Sequence, residues 1–271
     1  MKERLAQNIQ SIPPLPESVQ EIERLYKDVN ATSLDMQKAI EKDPLLAANV
    51  LRIANSPFYS IKTKVTSLYK AVSMLGKITI RTFVLSSAID ANFEVDLSPY
   101  GITHEEFRVA CEKQMALCVA WLPKSEKESL SFVAPAAFLV DIGRLLIAKT
   151  LFEESLEKEF LRDIKSGVGI KEAEQKSCGV QCSEVTAILF ENWALDPELI
   201  ELIRYCENPQ ESSQEYRIMA AELKAIRETV LLNGAITEES IATAKETIAA
   251  FGLDMRSYEA ALEKIRNMQA S

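Results

Sequence analysis

Apolar residues recur at three- and four-residue intervals along nearly the whole chain, and no alternating run of useful length interrupts them. The pattern predicts an all-α protein in which strands are at most incidental. After the extended Ile12-Pro13-Pro14-Leu15-Pro16, the positions Val19, Ile22, Leu25 and Tyr26 mark a first amphipathic helix. Thr32 and Ser33 offer N-caps to a short helix carrying Leu34, Met36 and Ile40. Asp43-Pro44 and Asp196-Pro197 each place a capping carboxylate before a proline at the first helical position, a strong start signal. The first opens a helix through Leu46, Val50, Leu51 and Ala54 that stops at Asn55-Ser56-Pro57; the second opens Leu199 to Tyr205. Ser67 caps a helix holding Leu68, Ala71, Val72 and Leu75, with Gly76 as its left-handed terminator and a further helix through Ile80, Phe83, Val84 and Ser87.

Leu97 to Gly101 reads as a loop bordering two helical lobes. Thr103 begins a helix with Phe107, Cys111, Leu117 and Trp121, ended by Pro123. Phe132 to Ile147 is almost continuously apolar, so it is expected to be one helix buried at the centre of the fold. Ser166-Gly167-Val168-Gly169 is a turn, and Ser183 caps a helix with Val185, Ile188, Leu189 and Trp193. Beyond Asn208-Pro209 come about three more helices, divided at Asn233-Gly234 and Phe251-Gly252. In the last of them Tyr258, Leu262, Ile265 and Met268 form an apolar stripe that reads as core.

Composition narrows the chemistry. With 271 residues, 47% of them hydrophobic, the chain can bury a large core. No apolar run approaches the ~20 residues that span a bilayer, and residues 1–10 lack a secretory apolar stretch, so a cytoplasmic protein without membrane contact is expected. The five cysteines, Cys111, Cys118, Cys178, Cys182 and Cys206, are scattered and odd in number, which suits reduced thiols. A formal net charge of −9 opposes nucleic-acid binding. The densest basic set, Lys62, Lys64, Lys70, Lys77 and Arg81, reads equally as an ordinary solvated face, and the helix from Ile78 to Leu85 is too apolar to read a major groove. The single histidine, His104, sits at a helix start beside Thr103 and Glu105. One histidine cannot build a multi-histidine metal centre, and neither a nucleophile elbow nor a phosphate-binding glycine loop is present.

Asp141 is the anomaly, because it lies within the apolar Ala137 to Leu146 stretch, where a carboxylate is costly unless paired or metal-bound. Arg144, three residues on, is the simplest partner; a relic metal ligand is the sharper reading. Here the sequence resembles the HDOD family, the non-catalytic relatives of HD phosphohydrolases. The resemblance runs from about Ile12 to Pro209. It rests on Ile12-Pro13-Pro14-Leu15-Pro16, Ile40 to Leu46, Leu51-Arg52-Ile53-Ala54-Asn55-Ser56 with Tyr59, Val65-Thr66-Ser67 and Ala71 to Gly76. Looser matches follow at Asp141-Ile142-Gly143-Arg144-Leu145, Gly179-Val180, Glu184-Val185, Asn192 to Leu195 and Ile203-Arg204-Tyr205.

The resemblance implies an HD-like helical fold of two lobes over residues 12–209, with residues 210–271 as a C-terminal helical extension packed on them. It also implies where enzymatic relatives carry ligands. The histidine that precedes their aspartate is here Val140, the one after the Gly-Val turn is Cys182, and a later pair is Cys206-Glu207; the first-helix histidine falls near Val109. Only Asp141 remains of that signature. The expectation is therefore a non-catalytic signalling module without cofactor, acting through an unknown signalling protein or through a small ligand, possibly a nucleotide, at Asp141, Cys182, Cys206 and Glu207. A divergent phosphohydrolase using those four residues around a soft metal, and a DNA-associated regulator, are the alternatives.

Overall fold

A computed structural model describes residues 1–56, 64–90, 95–122 and 127–269. Pro57, Phe58, Tyr59, Lys62, Pro123 and the side chain of Met268 lie outside the described residues. The described residues are helical with no strand. α1 (Lys2–Gln10) precedes a first lobe of α2 (Glu17–Lys27), α3 (Ser33–Glu41), α4 (Pro44–Ala54) and α5 (Leu68–Asp90). A second lobe contains α6 (His104–Trp121), α7 (Lys127–Leu139), α8 (Gly143–Glu153), α9 (Glu157–Lys165), α10 (Ile170–Cys178), α11 (Cys182–Asn192) and α12 (Pro197–Tyr205). α13 (Arg217–Thr229), α14 (Glu238–Phe251) and α15 (Met255–Gln269) complete the chain.

The helix starts show which polar residues set local structure. Asp43 accepts hydrogen bonds from the amides of Leu45 (3.1 Å) and Leu46 (3.0 Å), as its place before Pro44 predicts. Thr32 with Asp35, and Thr103 with Glu106, form reciprocal capping boxes at the starts of α3 and α6. Asn55 donates to the carbonyls of Leu51 (2.6 Å) and Val65 (2.9 Å) and accepts from the Val65 amide (2.8 Å), tying the end of α4 to the approach to α5. Two expected caps fail. Asp196 makes no cap bond, because Arg81 and Lys27 hold its carboxylate. Ser183 lies inside α11, whose first amide, Cys182 N, donates instead to Glu174 Oε2 at 2.8 Å.

Gly76 divides α5 into two helical parts where the pattern predicts, although with φ of 79° and ψ of 166° it is an extended kink rather than a left-handed cap. One expected helix differs in the structure. The Phe132 to Ile147 stretch is two helices, α7 and α8, broken by a 3-10 turn over Val140–Ile142 that carries Asp141. Thr186 of α11 causes the break: its hydroxyl accepts from the Gly143 amide at 2.9 Å and donates to the Val140 carbonyl at 2.8 Å. A Cβ at Gly143 would lie 2.5 Å from the Cys182 carbonyl oxygen, so only glycine lets α11 come this close.

Contrary to expectation, the continuous stretch Ser129–Glu153 is long and apolar enough by composition to cross a membrane. It is instead the floor of the core, with 83% of its most apolar window buried. α5, α6, α12 and α13 pack on α7, while α1, α9 and α11 pack on α8. α1, which the pattern did not single out, buries Leu5 and Ile9 and anchors Asn8 to Thr150 Oγ1 and Glu153 Oε2, each at 2.9 Å. The described part of the expected α15 stripe is core: Tyr258, Leu262 and Ile265 are buried, and Trp121 meets the Tyr258 ring edge-on at 5.3 Å.

Arg81 joins the lobes. Its side chain is fully buried, bonds both oxygens of Glu23 in α2 at 2.7 Å, and pairs with Asp196 at the start of α12. The Tyr26 ring lies 4.3 Å from its guanidinium carbon.

Candidate functional site

The 3-10 turn at Val140–Ile142 delivers Asp141 to the junction of α6, α8, α10 and α13, where it is 2% exposed. Three donors converge on it. Arg144 Nη1 and Arg227 Nη2 both donate to Oδ1, the latter at 2.6 Å, and Gln114 Nε2 donates to Oδ2 at 3.0 Å. Burial alone would raise the pKa of this carboxyl; Arg144, then Arg227, then the Gln114 hydrogen bond override it and hold the group well below the usual carboxylate range.

Each arginine has a second carboxylate. Arg144 Nε donates to Glu174 Oε1 at 3.0 Å, and Tyr100, in a 3-10 turn over Ser98–Tyr100, donates to the same oxygen at 3.2 Å. Tyr100 is thus buried in the site rather than exposed in the expected loop, with the Phe160 ring edge-on at 5.0 Å. Arg227 Nη1 donates to Glu207 Oε1 and, at 3.4 Å, to the Cys206 sulfur; Lys171 takes the other Glu207 oxygen. Burial would raise the Glu207 pKa too, but Arg227 and Lys171 reverse the direction.

The four residues singled out from the sequence fall into two groups. Asp141, Cys206 and Glu207 all meet one guanidinium, that of Arg227. Cys182 lies apart, its sulfur 3.5 Å from the Val140 carbonyl. Asp141 and Glu207 line a cavity of about 540 Å³ with Gln114, Arg144, Arg227 and the 230–232 segment, whereas both cysteines are buried behind its wall. Burial pushes the Cys206 thiol up to about 12 despite Arg227, and pushes the Cys182 thiol higher still. Neither is a thiolate at neutral pH, so neither is a ready nucleophile.

Sequence reasoning missed Arg227, Glu174 and Gln114. Gln114 lies between the buried Cys111 and Cys118, and Arg227 follows the buried Ala220 and Leu223 at helical spacing, so both break an apolar stripe as visibly as Asp141 does. Glu174 sits in the charged run Lys171 to Lys176 and carries no such signal, although it is fully buried.

A family model described as HDOD domain matches residues 12–209. This chain belongs to the HDOD family. No curated protein matches it. Its fold is that of several solved structures. One is an HDOD domain protein of unknown function from Geobacter sulfurreducens, at 20% identity and TM-score 0.68, covering 99% of this chain and 96% of that one. A protein from Shewanella amazonensis SB2B, provisionally named a phosphohydrolase, is 21% identical with TM-score 0.72, over 98% of this chain and 94% of that one. A provisionally named signal transduction protein from Marinobacter aquaeolei VT8 is 21% identical with TM-score 0.73, over 99% of this chain and 64% of that one.

HD relatives would place divalent metal at the Asp141 end of this HDOD fold. The residues present here do not fit one. Guanidinium and amide groups already engage both Asp141 oxygens, lysine and arginine engage both Glu207 oxygens, and both cysteines are buried away from the cavity lining. Among the described residues, no group of three or more His, Cys, Asp or Glu side chains is placed to hold a metal ion. His104 is exposed at the start of α6, 6.5 Å from the Phe107 ring, and does not line the cavity.

Proposed function

We propose that this HDOD protein is a non-catalytic module of bacterial signal transduction that works by binding, through protein contacts and through a small ligand in the Asp141 cavity. The observation that carries the reading is the Arg227 guanidinium among Asp141, Cys206 and Glu207, where the chemistry of a phosphohydrolase would need a metal and its water. Arg227 comes from α13, beyond the family-matched residues, which supports residues 210–271 as an extension that completes the site. The five free, buried thiols support a reducing compartment such as the cytoplasm. A DNA-associated role has less support: Arg81 is fully buried and Lys77 donates to the Ala31 carbonyl, so neither is offered to a phosphate backbone.

The test is turnover of a generic phosphodiester, bis(p-nitrophenyl) phosphate, and of nucleoside phosphates, with Mg²⁺, Mn²⁺ or Zn²⁺ added. The reading expects rates no higher than those of the free metals. Turnover that Asp141→Asn abolishes would overturn it.

A further inference from the structure

The Asp141 cavity is unevenly supplied with hydrogen-bonding groups. Every cation in its wall already faces a carboxylate. Arg144 holds Asp141 and Glu174, Arg227 holds Asp141 and Glu207, and Lys171 holds Glu207. Lys224 lies 3.9 Å from Glu228. A phosphate or nucleotide entering here would have to displace a buried carboxylate from an arginine.

The acceptors, in contrast, are in surplus. Gln114 is 1% exposed and gives its Nε2 to Asp141, while its Oε1 has no partner among the described residues. The amide cannot be turned round to satisfy that oxygen, because the turn would set a carbonyl against the Asp141 carboxylate. Glu228 accepts from Thr247 at 2.6 Å, and its only ion pair among the described residues is the long one to Lys224. Burial raises its pKa, which marks negative charge that its surroundings do not fully compensate. Glu172 and Glu239 line the rim, exposed and without an ion pair among the described residues. Val230, Leu231, Leu232 and Ile170 give the same cavity apolar wall.

We propose that this cavity binds a small organic amine. An N–H of the ligand satisfies Gln114 Oε1, its positive charge faces Glu228 and the rim carboxylates, and its carbon chain lies on the 230–232 segment. The volume, about 540 Å³, suits a small molecule. The inference rests on the binding-module reading above and names the ligand class for it.

The experiment is calorimetric titration of the full chain with putrescine, agmatine and spermidine as cation probes, and with AMP and inorganic phosphate as anion probes. Salt at about 0.15 M suppresses diffuse attraction to the acidic surface. One saturable site is expected for at least one amine. Glu228→Gln should weaken it roughly tenfold, the scale of one charged hydrogen bond. Gln114→Leu should weaken it comparably, and Glu3→Gln, on the exposed face of α1, should leave it unchanged. If Gln114→Leu does not fold, Glu228→Gln and Glu239→Gln together carry the test. Absence of saturable amine binding would overturn the inference, as would amine binding that no cavity variant alters, or binding of AMP or phosphate alone. Phosphoester turnover by the same protein would sink the binding-module reading, whereas loss of amine binding alone sinks only the ligand class.

Discussion

Asp141 is stable as an anion inside a helical core because two guanidinium groups and an amide meet its two oxygens. Its depressed pKa ties stability to pH in a defined direction. The contribution is fully present above the ordinary aspartate value of 3.8 and is lost as pH falls through the lower folded-state value. Asp141→Asn should therefore flatten the acid limb of the stability curve below about pH 4, while lowering stability at neutral pH. Urea melts of both proteins between about pH 2.5 and 7 check this, and parallel acid limbs would contradict it. At this scale the sequence was half legible. Asp141 and Arg144 are three residues apart, so their pairing follows from helical geometry. Arg227 and Glu174 reach the site from helices far along the chain, and periodicity says nothing about which helices meet.

The elements were legible where a start signal stood alone and less so where tertiary partners competed for it. Asp43 caps α4 because nothing else claims its Oδ1; Asp196 has the same sequence context, yet Arg81 and Lys27 draw its carboxylate away. The stretch from Phe132 to Ile147 carries two breakers, Pro135 and Gly143; α7 runs through Pro135, and the break falls instead where Thr186, on α11, bonds Val140 and Gly143. Gly143→Ala forces a methyl toward the Cys182 carbonyl and should cost about 1–3 kcal/mol, as overpacking does. A thermal melt would show it, and an unchanged Tm would mean that α8 and α11 are not held at this contact.

For the molecule as a whole, Arg81 is the charged link between lobes. Its guanidinium holds Glu23 from one side and Asp196 from the other, out of water. Arg81→Met keeps the bulk but leaves the largely buried Glu23 and Asp196 carboxylates without their guanidinium, and should destabilise the protein by about 3 kcal/mol or more. Adding Glu23→Gln and Asp196→Asn should restore part of that loss; a single variant as stable as the parent would show that the lobes do not depend on this cluster. The all-α architecture and its two lobes were legible from helical spacing and from family motifs in the first lobe. The lobe contact was not, because Arg81 reads in sequence as one more basic residue in a surface set.

Asp141, Cys206 and Glu207 are organised around the guanidinium of Arg227, and a double-mutant cycle tests that most directly. Asp141→Asn, Arg227→Met and the double variant would be compared by urea denaturation at pH 7. The structure predicts that the two losses are strongly non-additive, with a coupling of about 2 kcal/mol, because removing either group takes a buried charged partner from the other. Losses that add to within about 0.5 kcal/mol would contradict it, and would mean that Arg227 does not hold the charge of Asp141.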